Sequence, residues 1–365
     1  MQPGNWKPLR KRLLQWYDEA KRDLPWRKTQ DPYRIWVAEV MLQQTQVKTV
    51  LKYYDRFLQA FPTLKAFADA SLEDVLRVWQ GLGYYARARN LHRGARYILT
   101  ELKGRFPDDF EALKKVPGIG TYTAAAVASI AFGRAAAVLD GNVKRVLSRI
   151  VLIDTELSDS RTKARLEALA QEILDPDRPG DFNQALMELG ATICLPKRPK
   201  CLLCPVRAYC RAQQELPDPS ALPVKKARKA IPHYEIAVGL IWDDGYVFID
   251  KRPEDGMLGG LWEFPGGKIE NGESARMAVK REIKEELNLD VEVGDYFMEV
   301  QHAYSHFKIT MHVFHCTYRG GEPSLAAATD WRWVRPEELR FFPFAAASHK
   351  IIRKLESEFS PQRRK

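Results

Sequence analysis

Up to about Ile193 the chain repeats apolar residues at the three-and-four spacing of amphipathic helices. Leu9 to Tyr17, Tyr33 to Val47, Val50 to Leu58, Ala86 to Leu102, Thr121 to Ile130, Val143 to Ile150, Arg161 to Ile173 and Phe182 to Ile193 each carry such a stripe, and nothing among them alternates as a strand would. Ser71-Leu72-Glu73-Asp74 adds a helix start, a hydroxyl followed three positions later by an acid. Prolines at 217, 219 and 223 with no apolar period then mark a linker, which continues through a basic run to Pro232. Beyond it the texture changes. Tyr234 to Trp242 and Tyr246 to Asp250 predict strands joined through Asp243-Asp244-Gly245. Glu273 to Leu287 predicts a helix, His306 to Tyr318 a strand, and Ser348 to Phe359 a closing helix. The expected organisation is an all-α domain over residues 1–215, a linker over 216–232 and a smaller α/β domain over 233–365.

The 365 residues suit two domains, and 45% hydrophobic with 28% charged residues excludes a mostly disordered chain. The net charge of +10 is uneven: between Leu195 and Pro232, nine basic residues stand against Glu215 and Asp218. Such a local excess suits contact with a polyanion; standing alone it would fit a solvated basic loop. No run is apolar enough to span a bilayer, so no membrane partner is expected. Met1 to Asp23 mixes Lys and Arg with Asp18, Glu19 and Asp23 and lacks an apolar core, so no export signal is expected either. Four of the five cysteines fall within 17 residues, which is metal-ligand spacing in a reducing compartment rather than a disulfide framework. The cytoplasm is the expected location.

Cys194-x6-Cys201-x2-Cys204-x5-Cys210 offers four thiolates, which suit a structural zinc or a [4Fe–4S] cluster alike. Lys197, Arg198 and Lys200 lie inside the first ligand loop, where a pinned backbone would present them to phosphates. Leu113 to Thr121 reads as helix, tight turn, helix. Gly118 and Gly120 allow close backbone approach, and the following helix opens with unpaired N–H groups; an ordinary helix-helix turn fits equally well by itself. Glu39 is the only charged residue between Ile35 and Val47, so desolvation should raise its pKa unless it sits at the surface or in a buried ion pair.

These segments recur with Leu24-Pro25-Trp26-Arg27, Trp36-Val37-Ala38-Glu39-Val40-Met41-Leu42-Gln43-Gln44-Thr45-Gln46-Val47, Gly81-Leu82-Gly83-Tyr84-Tyr85-Ala86-Arg87 and Leu139-Asp140-Gly141-Asn142-Val143. From residue 24 to 210 the chain resembles the helix-hairpin-helix superfamily of DNA glycosylases and, within it, the MutY family of adenine glycosylases. The resemblance implies a [4Fe–4S] cluster on Cys194, Cys201, Cys204 and Cys210 rather than zinc. As partner it implies double-stranded DNA with an 8-oxoguanine:adenine or guanine:adenine mispair, met by a monomer on chromosomal DNA, with a bacterial source expected.

Carried over residue by residue, the resemblance implies that Glu39 is the general acid that protonates adenine at N7. Asp140 is then the ionised carboxylate that stabilises the oxocarbenium ion and captures it, as in retaining glycosidases. The other reading of Asp140 is a helix N-cap. Asn142 would order Asp140 or a water. Tyr122 stands where bifunctional enzymes resembling endonuclease III carry a lysine, and without an amine no Schiff base and no strand cleavage are expected. Extruding a base from a duplex leaves a gap to fill. Gln44, Thr45, Leu82 and Tyr84 match the segments that wedge into the stack and meet the opposite base. Val116, Gly118 and Gly120 of the hairpin match phosphate contacts, and Trp26 and Arg27 line the base pocket. Read singly, Gln44 and Thr45 fit a helix surface and Tyr84 a core aromatic.

Gly267-x5-Glu273-x7-Arg281-Glu282-Ile283-Lys284-Glu285-Glu286-Leu287-Asn288-Leu289 resembles the Nudix signature, with Asn288 where glycine is usual. The position follows a helix and favours a left-handed backbone, for which Asn is the best substitute. Glu282, Glu285 and Glu286 share one helix face and make Mg²⁺ a candidate ion; solvated charges are the bland alternative. In adenine glycosylases the MutT-like domain recognises 8-oxoguanine through Phe-Ser-His; here the triplet is Tyr304-Ser305-His306. The expected function is a monofunctional adenine DNA glycosylase of base excision repair. The alternatives are a glycosylase for another mispaired base such as thymine, a damage-binding module without catalysis, and a bifunctional protein whose Nudix domain also hydrolyses oxidised guanine nucleotides.

Overall fold

A computed structural model describes residues 5–224, 226, 230–304, 306–324 and 328–359. In chain order the helices are α1 (Lys7–Ala20), α2 (Pro32–Leu42), α3 (Val47–Ala60), α4 (Leu64–Asp69), α5 (Leu72–Trp79), α6 (Ala86–Thr100), α7 (Phe110–Lys114), α8 (Thr121–Phe132), α9 (Gly141–Ile150), α10 (Ser160–Ile173), α11 (Pro179–Thr192), α12 (Arg211–Glu215), α13 (Ala275–Leu287) and α14 (Ser348–Phe359). The strands are β1 (His233–Asp243), β2 (Tyr246–Lys251), β3 (Trp262–Glu263), β4 (Gly266–Lys268), β5 (Asp290–Ala303), β6 (Lys308–Gly320) and β7 (Asp330–Val334). Contacts gather into two units: Met1–Ala68 with Arg93–Arg228, and Asp69–His92 with Lys229–Lys365.

The first unit is helical among its described residues. Asp31 caps α2 by accepting from Tyr33 N at 2.9 Å, with Pro32 in the first turn. Tyr33 and every residue from Ile35 to Met41 are buried, so α2 runs through the middle of the unit with α8 against it. The apolar period predicts α2 as far as Val47, but it stops at Leu42. Gln43 donates its side-chain amide to the Thr123 hydroxyl at 3.1 Å and Gln44 takes a left-handed φ of 57°. The polar run Gln43-Gln44-Thr45-Gln46 thus forms a turn, and the helix restarts at Val47 as α3. α7, the Val116–Gly120 turn and α8 form the expected hairpin, with Gly118 at φ 80°. α6 crosses it closely at Gly94, where a Cβ would lie 2.5 Å from Pro117 O.

The second unit holds a mixed sheet in the order β3-β2-β1-β6-β5, with β4 on β1 and β7 on β2. β1 and β2 form the expected hairpin, with Asp243 opposite Tyr246 and the turn residues Asp244 and Gly245 both at positive φ. β1 also runs parallel to β6. Its alternate residues face two cores: Val238 and Leu240 pack with Ile351, Ile352 and Leu355 of α14, while Ala237 and Ile241 pack with Val279, Ile283 and Leu287 of α13. Ser274 caps α13, and Asn288 ends it at φ 57°, the left-handed conformation expected there. α5 belongs to this unit, and Ser71 caps it by accepting from Asp74 N at 3.0 Å, as the sequence predicts.

Candidate active site

Glu39 lies in the middle of α2 and is 4% exposed. Tyr122, in the first turn of α8, donates its hydroxyl to Glu39 Oε2 at 2.5 Å and also approaches Met187 Sδ at 3.5 Å. Asp140 caps α9: Oδ1 accepts from Val143 N at 2.7 Å, and Oδ2 accepts from the Asn142 amide at 3.1 Å. The cap and the catalytic reading therefore fall on one carboxylate, with its orientation fixed by the helix it starts. Glu39, Tyr122, Asp140 and Asn142 share a cavity of about 150 Å³ with Trp26, Arg27 and Thr45.

Burial pushes the Glu39 carboxyl up to about 7, the charge of Asp140 works in the same direction, and the Tyr122 hydroxyl and Arg27 pull against it. Asp140 is also raised by burial, opposed by the donors Val143 N and the Asn142 amide and by the charge of Arg145. The Tyr122 hydroxyl is held far above its usual range by burial between two carboxylates, so it donates and does not ionise. One acid keeps its proton near neutrality while the other is tied to donors. That separation lets a carboxyl pair serve as acid and as ionic partner.

Three polar residues of the cavity carry no site expectation from the sequence: Arg22, Gln184 and Glu188. Glu188 could have been found, since it is the only charged residue between Phe182 and Ile193, the same signal that singles out Glu39. Of the expected DNA contacts, Thr45 reaches the cavity, while Gln44 is exposed in the turn after α2 rather than on a helix. Leu82 is buried, whereas Tyr84 is 37% exposed at a positive φ of 50°. Val116 is buried, so its backbone is what it can offer. Gly120 precedes α8, and a Cβ there would meet nothing within 4 Å, which leaves that helix end uncovered.

Cys194, Cys201, Cys204 and Cys210 line one small cavity with Arg149, whose guanidinium donates to Cys194 Sγ at 3.3 Å. Burial raises the Cys201 and Cys210 thiols and pushes Cys204 up to about 12, and the neighbouring sulfurs add to each rise. Four sulfurs around one space, with Cys201, Cys204 and Cys210 resisting charge unless a cation joins them, suit a four-thiolate metal group. Among the described residues no three His, Cys, Asp or Glu side chains close on a single ion position.

In the second unit Glu282 and Glu286 face a cleft of about 620 Å³ with Glu263, Arg252, Tyr304 and Phe307. Burial and the charges of Glu282 and Glu263 push Glu286 up to about 7. Glu285 is not brought to that cleft; it pairs with Arg281 at 3.0 Å, which also holds Glu273 and Glu282. Tyr304 stacks on Phe307 with ring centroids 4.7 Å apart, His306 is exposed, and Ser305 lies outside the described residues.

A buried acid beside a capped aspartate, following a glycine hairpin, defines a base-excision DNA glycosylase of the helix-hairpin-helix class. Residues 37–172 match the family described as HhH-GPD superfamily base excision DNA repair protein, and residues 237–354 match the NUDIX domain. The chain belongs to the adenine DNA glycosylase family. It is 39% identical to the adenine DNA glycosylase of Rattus norvegicus over 94% of this chain and 77% of that protein. For the Homo sapiens enzyme the identity is 39% over 93% and 72%. For the Buchnera aphidicola (Acyrthosiphon pisum) enzyme it is 35% over 81% and 82%. Among solved structures, a thermostable thymine-DNA glycosylase is 31% identical with a TM-score of 0.51, covering 57% of this chain and 96% of that one. No helix among the described residues is long and apolar enough to cross a membrane.

Proposed function

We propose that the chain removes adenine from duplex DNA where it faces 8-oxoguanine or guanine, and leaves the strand intact. The observation that carries this reading is the Glu39–Tyr122 pair set beside the capped Asp140 in one cavity. The extruded base enters between Trp26 and the Glu39 face. Glu39 gives its proton to N7, the C–N bond breaks with its electron pair going to the now neutral base, and positive charge develops on the sugar. Asp140 stabilises that charge and captures C1′; water then releases the sugar as an abasic site, with Asn142 keeping the Asp140 oxygen in place. Tyr122 has no amine, so no Schiff base forms and no strand cleavage follows.

In this reading Cys194, Cys201, Cys204 and Cys210 hold a [4Fe–4S] cluster, which when bound fixes the 194–210 loop as a fold element. Lys197, Arg198 and Lys200 on that loop then meet phosphates, together with the hairpin backbone at Val116 to Gly120. Gln44, Thr45, Leu82 and Tyr84 fill the gap, and Tyr304, Ser305 and His306 read the 8-oxoguanine. The protein acts as a cytoplasmic monomer. A second reading for the Nudix domain, Mg²⁺-dependent hydrolysis of oxidised guanine nucleotides, draws support from Glu282 and Glu286 facing one cleft.

The test is incubation with duplexes that place 8-oxoguanine opposite each normal base. Release of adenine alone is expected, with cleavage at the abasic site only after alkali. Release of thymine in its place would move the chain to the activity named for the solved thymine-DNA glycosylase.

A further inference from the structure

Glu188 projects from α11 into the cavity of Glu39 with its side chain 1% exposed. It accepts from Arg22 Nε at 2.6 Å and from a terminal nitrogen of Arg22 at 2.8 Å, and from Arg27 at 2.8 Å. Arg27 is turned away further: another of its terminal nitrogens donates to Arg22 O at 3.0 Å, and the guanidinium lies over the Tyr17 ring, 5.3 Å from its centroid. Its Nε is buried without a hydrogen-bond partner. A buried carboxylate satisfied by two arginines is expensive to leave unpaired, so the geometry is strongly held.

We propose that Glu188 is a positioning residue of the excision site: its carboxylate clamps Arg22 and Arg27 to the cavity wall so that neither guanidinium pairs with Glu39, which stays available as a protonated acid. The inference rests on Glu39 being the general acid. The charged and titratable groups facing Glu39 are Tyr122 from α8, Asp140 at the start of α9, and Arg27 from the segment before α2; Arg22 and Glu188 line the same cavity and hold Arg27. Arg27 already lowers the Glu39 pKa while it is paired with the Glu188 carboxylate. Without Glu188, the freed guanidinium has two other carboxyls of the cavity wall to turn to, Glu39 and Asp140, and Glu39 is the one whose pKa Arg27 already lowers.

The experiment is the pH profile of single-turnover excision on an 8-oxoguanine:adenine duplex. The wild-type rate should fall as pH rises through about 7, where Glu39 loses its proton. In Glu188→Gln the falling limb should move at least one unit toward acid, which cuts the rate about tenfold above neutrality and much less at low pH. Arg22→Gln should move the limb the other way, because Glu188 then acts on Arg27 alone; Arg22 is 37% exposed, so this variant keeps the test open if Glu188→Gln does not fold. Glu188→Gln with Arg27→Gln should return the midpoint toward the wild-type value. A uniform loss of rate at every pH, or limbs that move together, would overturn the proposal. A wild-type profile without the limb would instead overturn Glu39 as the acid.

Discussion

Gly190 gives the most direct test of whether Asp140 must be held where it is. A Cβ built at Gly190 would lie 2.6 Å from the Asn142 Cβ and 3.2 Å from its Cα, atoms that cannot swing aside. Carbon atoms in contact normally stand about 3.5–4.0 Å apart, so Gly190→Ala must part α11 from the start of α9 by about 1 Å. Overpacking of this kind costs about 1–3 kcal/mol. Alanine recovers about 1 kcal/mol through its better helix propensity, leaving a net loss of at most about 2 kcal/mol and a few degrees of Tm. Catalysis should suffer more. Asn142 is the residue pushed, and it holds Asp140 Oδ2 at 3.1 Å while accepting from Arg145 at 3.0 Å. Misplacement of a catalytic group by about 1 Å costs up to about a hundredfold, so single-turnover excision should drop between about tenfold and a hundredfold. Thermal unfolding measured beside excision separates the two effects. A variant with full excision and an unchanged Tm would refute the reasoning, since α9 would then absorb the methyl without moving Asp140.

Glu39→Gln keeps size and polarity but removes the acid, so adenine release should fall about 10²–10⁴-fold while a gel-shift assay still finds mismatch binding. Tyr122→Phe removes the donor that stabilises ionised Glu39; the pKa then rises further, and the falling limb of the rate should move toward alkaline pH. The purified protein should contain iron and inorganic sulfide, and Cys201→Ser should lower both together with duplex affinity; stoichiometric zinc in anaerobically purified protein would contradict the cluster. Ser305→Ala with His306→Ala should narrow the preference for 8-oxoguanine:adenine over guanine:adenine while excision from guanine:adenine persists, as measured by competition between the two duplexes.

Much of the architecture was legible because short-range patterns carried it. The single acid in an apolar run predicted a buried Glu39, the Asp243-Asp244-Gly245 turn predicted the β1–β2 hairpin, and Asn288 after the acidic helix predicted a left-handed end. The continuation of α2 to Val47 was misleading because apolar period alone does not register the Gln43–Thr123 hydrogen bond, made between residues far apart in sequence. β5 was not expected at all: its register shifts against β6 break the two-residue alternation that reveals a strand. The Arg22–Arg27–Glu188 cluster escaped for another reason. Arg22 and Arg27 have ordinary local contexts, the lone acid Glu188 gives no hint of its partners, and only folding brings α11 against the segment before α2. In the acidic helix, spacing placed Glu282, Glu285 and Glu286 on one face, but Arg281 draws Glu285 away from the cleft.

Asp140 and the cysteine loop are far apart in sequence, yet one helix serves both. Asp140 starts α9; one turn on, Arg145 donates to Asn142 Oδ1, to Gly190 O at 2.8 Å and to Cys194 O at 2.8 Å. One turn further, Arg149 donates to Cys194 Sγ, to Leu195 O at 2.7 Å and to Leu222 O at 2.9 Å. Both arginines are buried, and a buried guanidinium must find acceptors for its donors or pay heavily for the loss of water. Most of those acceptors are carbonyls of the cysteine loop and the stretch after it. If the loop loosens, Arg145 and Arg149 are stranded, and the least costly repair is a shift of α9 toward other acceptors. That shift moves Asn142 and the cap at Asp140 with it. On the proposed roles the cysteine loop would bear on excision through the position of α9 as well as through any phosphate it touches, and damage to the loop should slow chemistry even on duplex that is already bound.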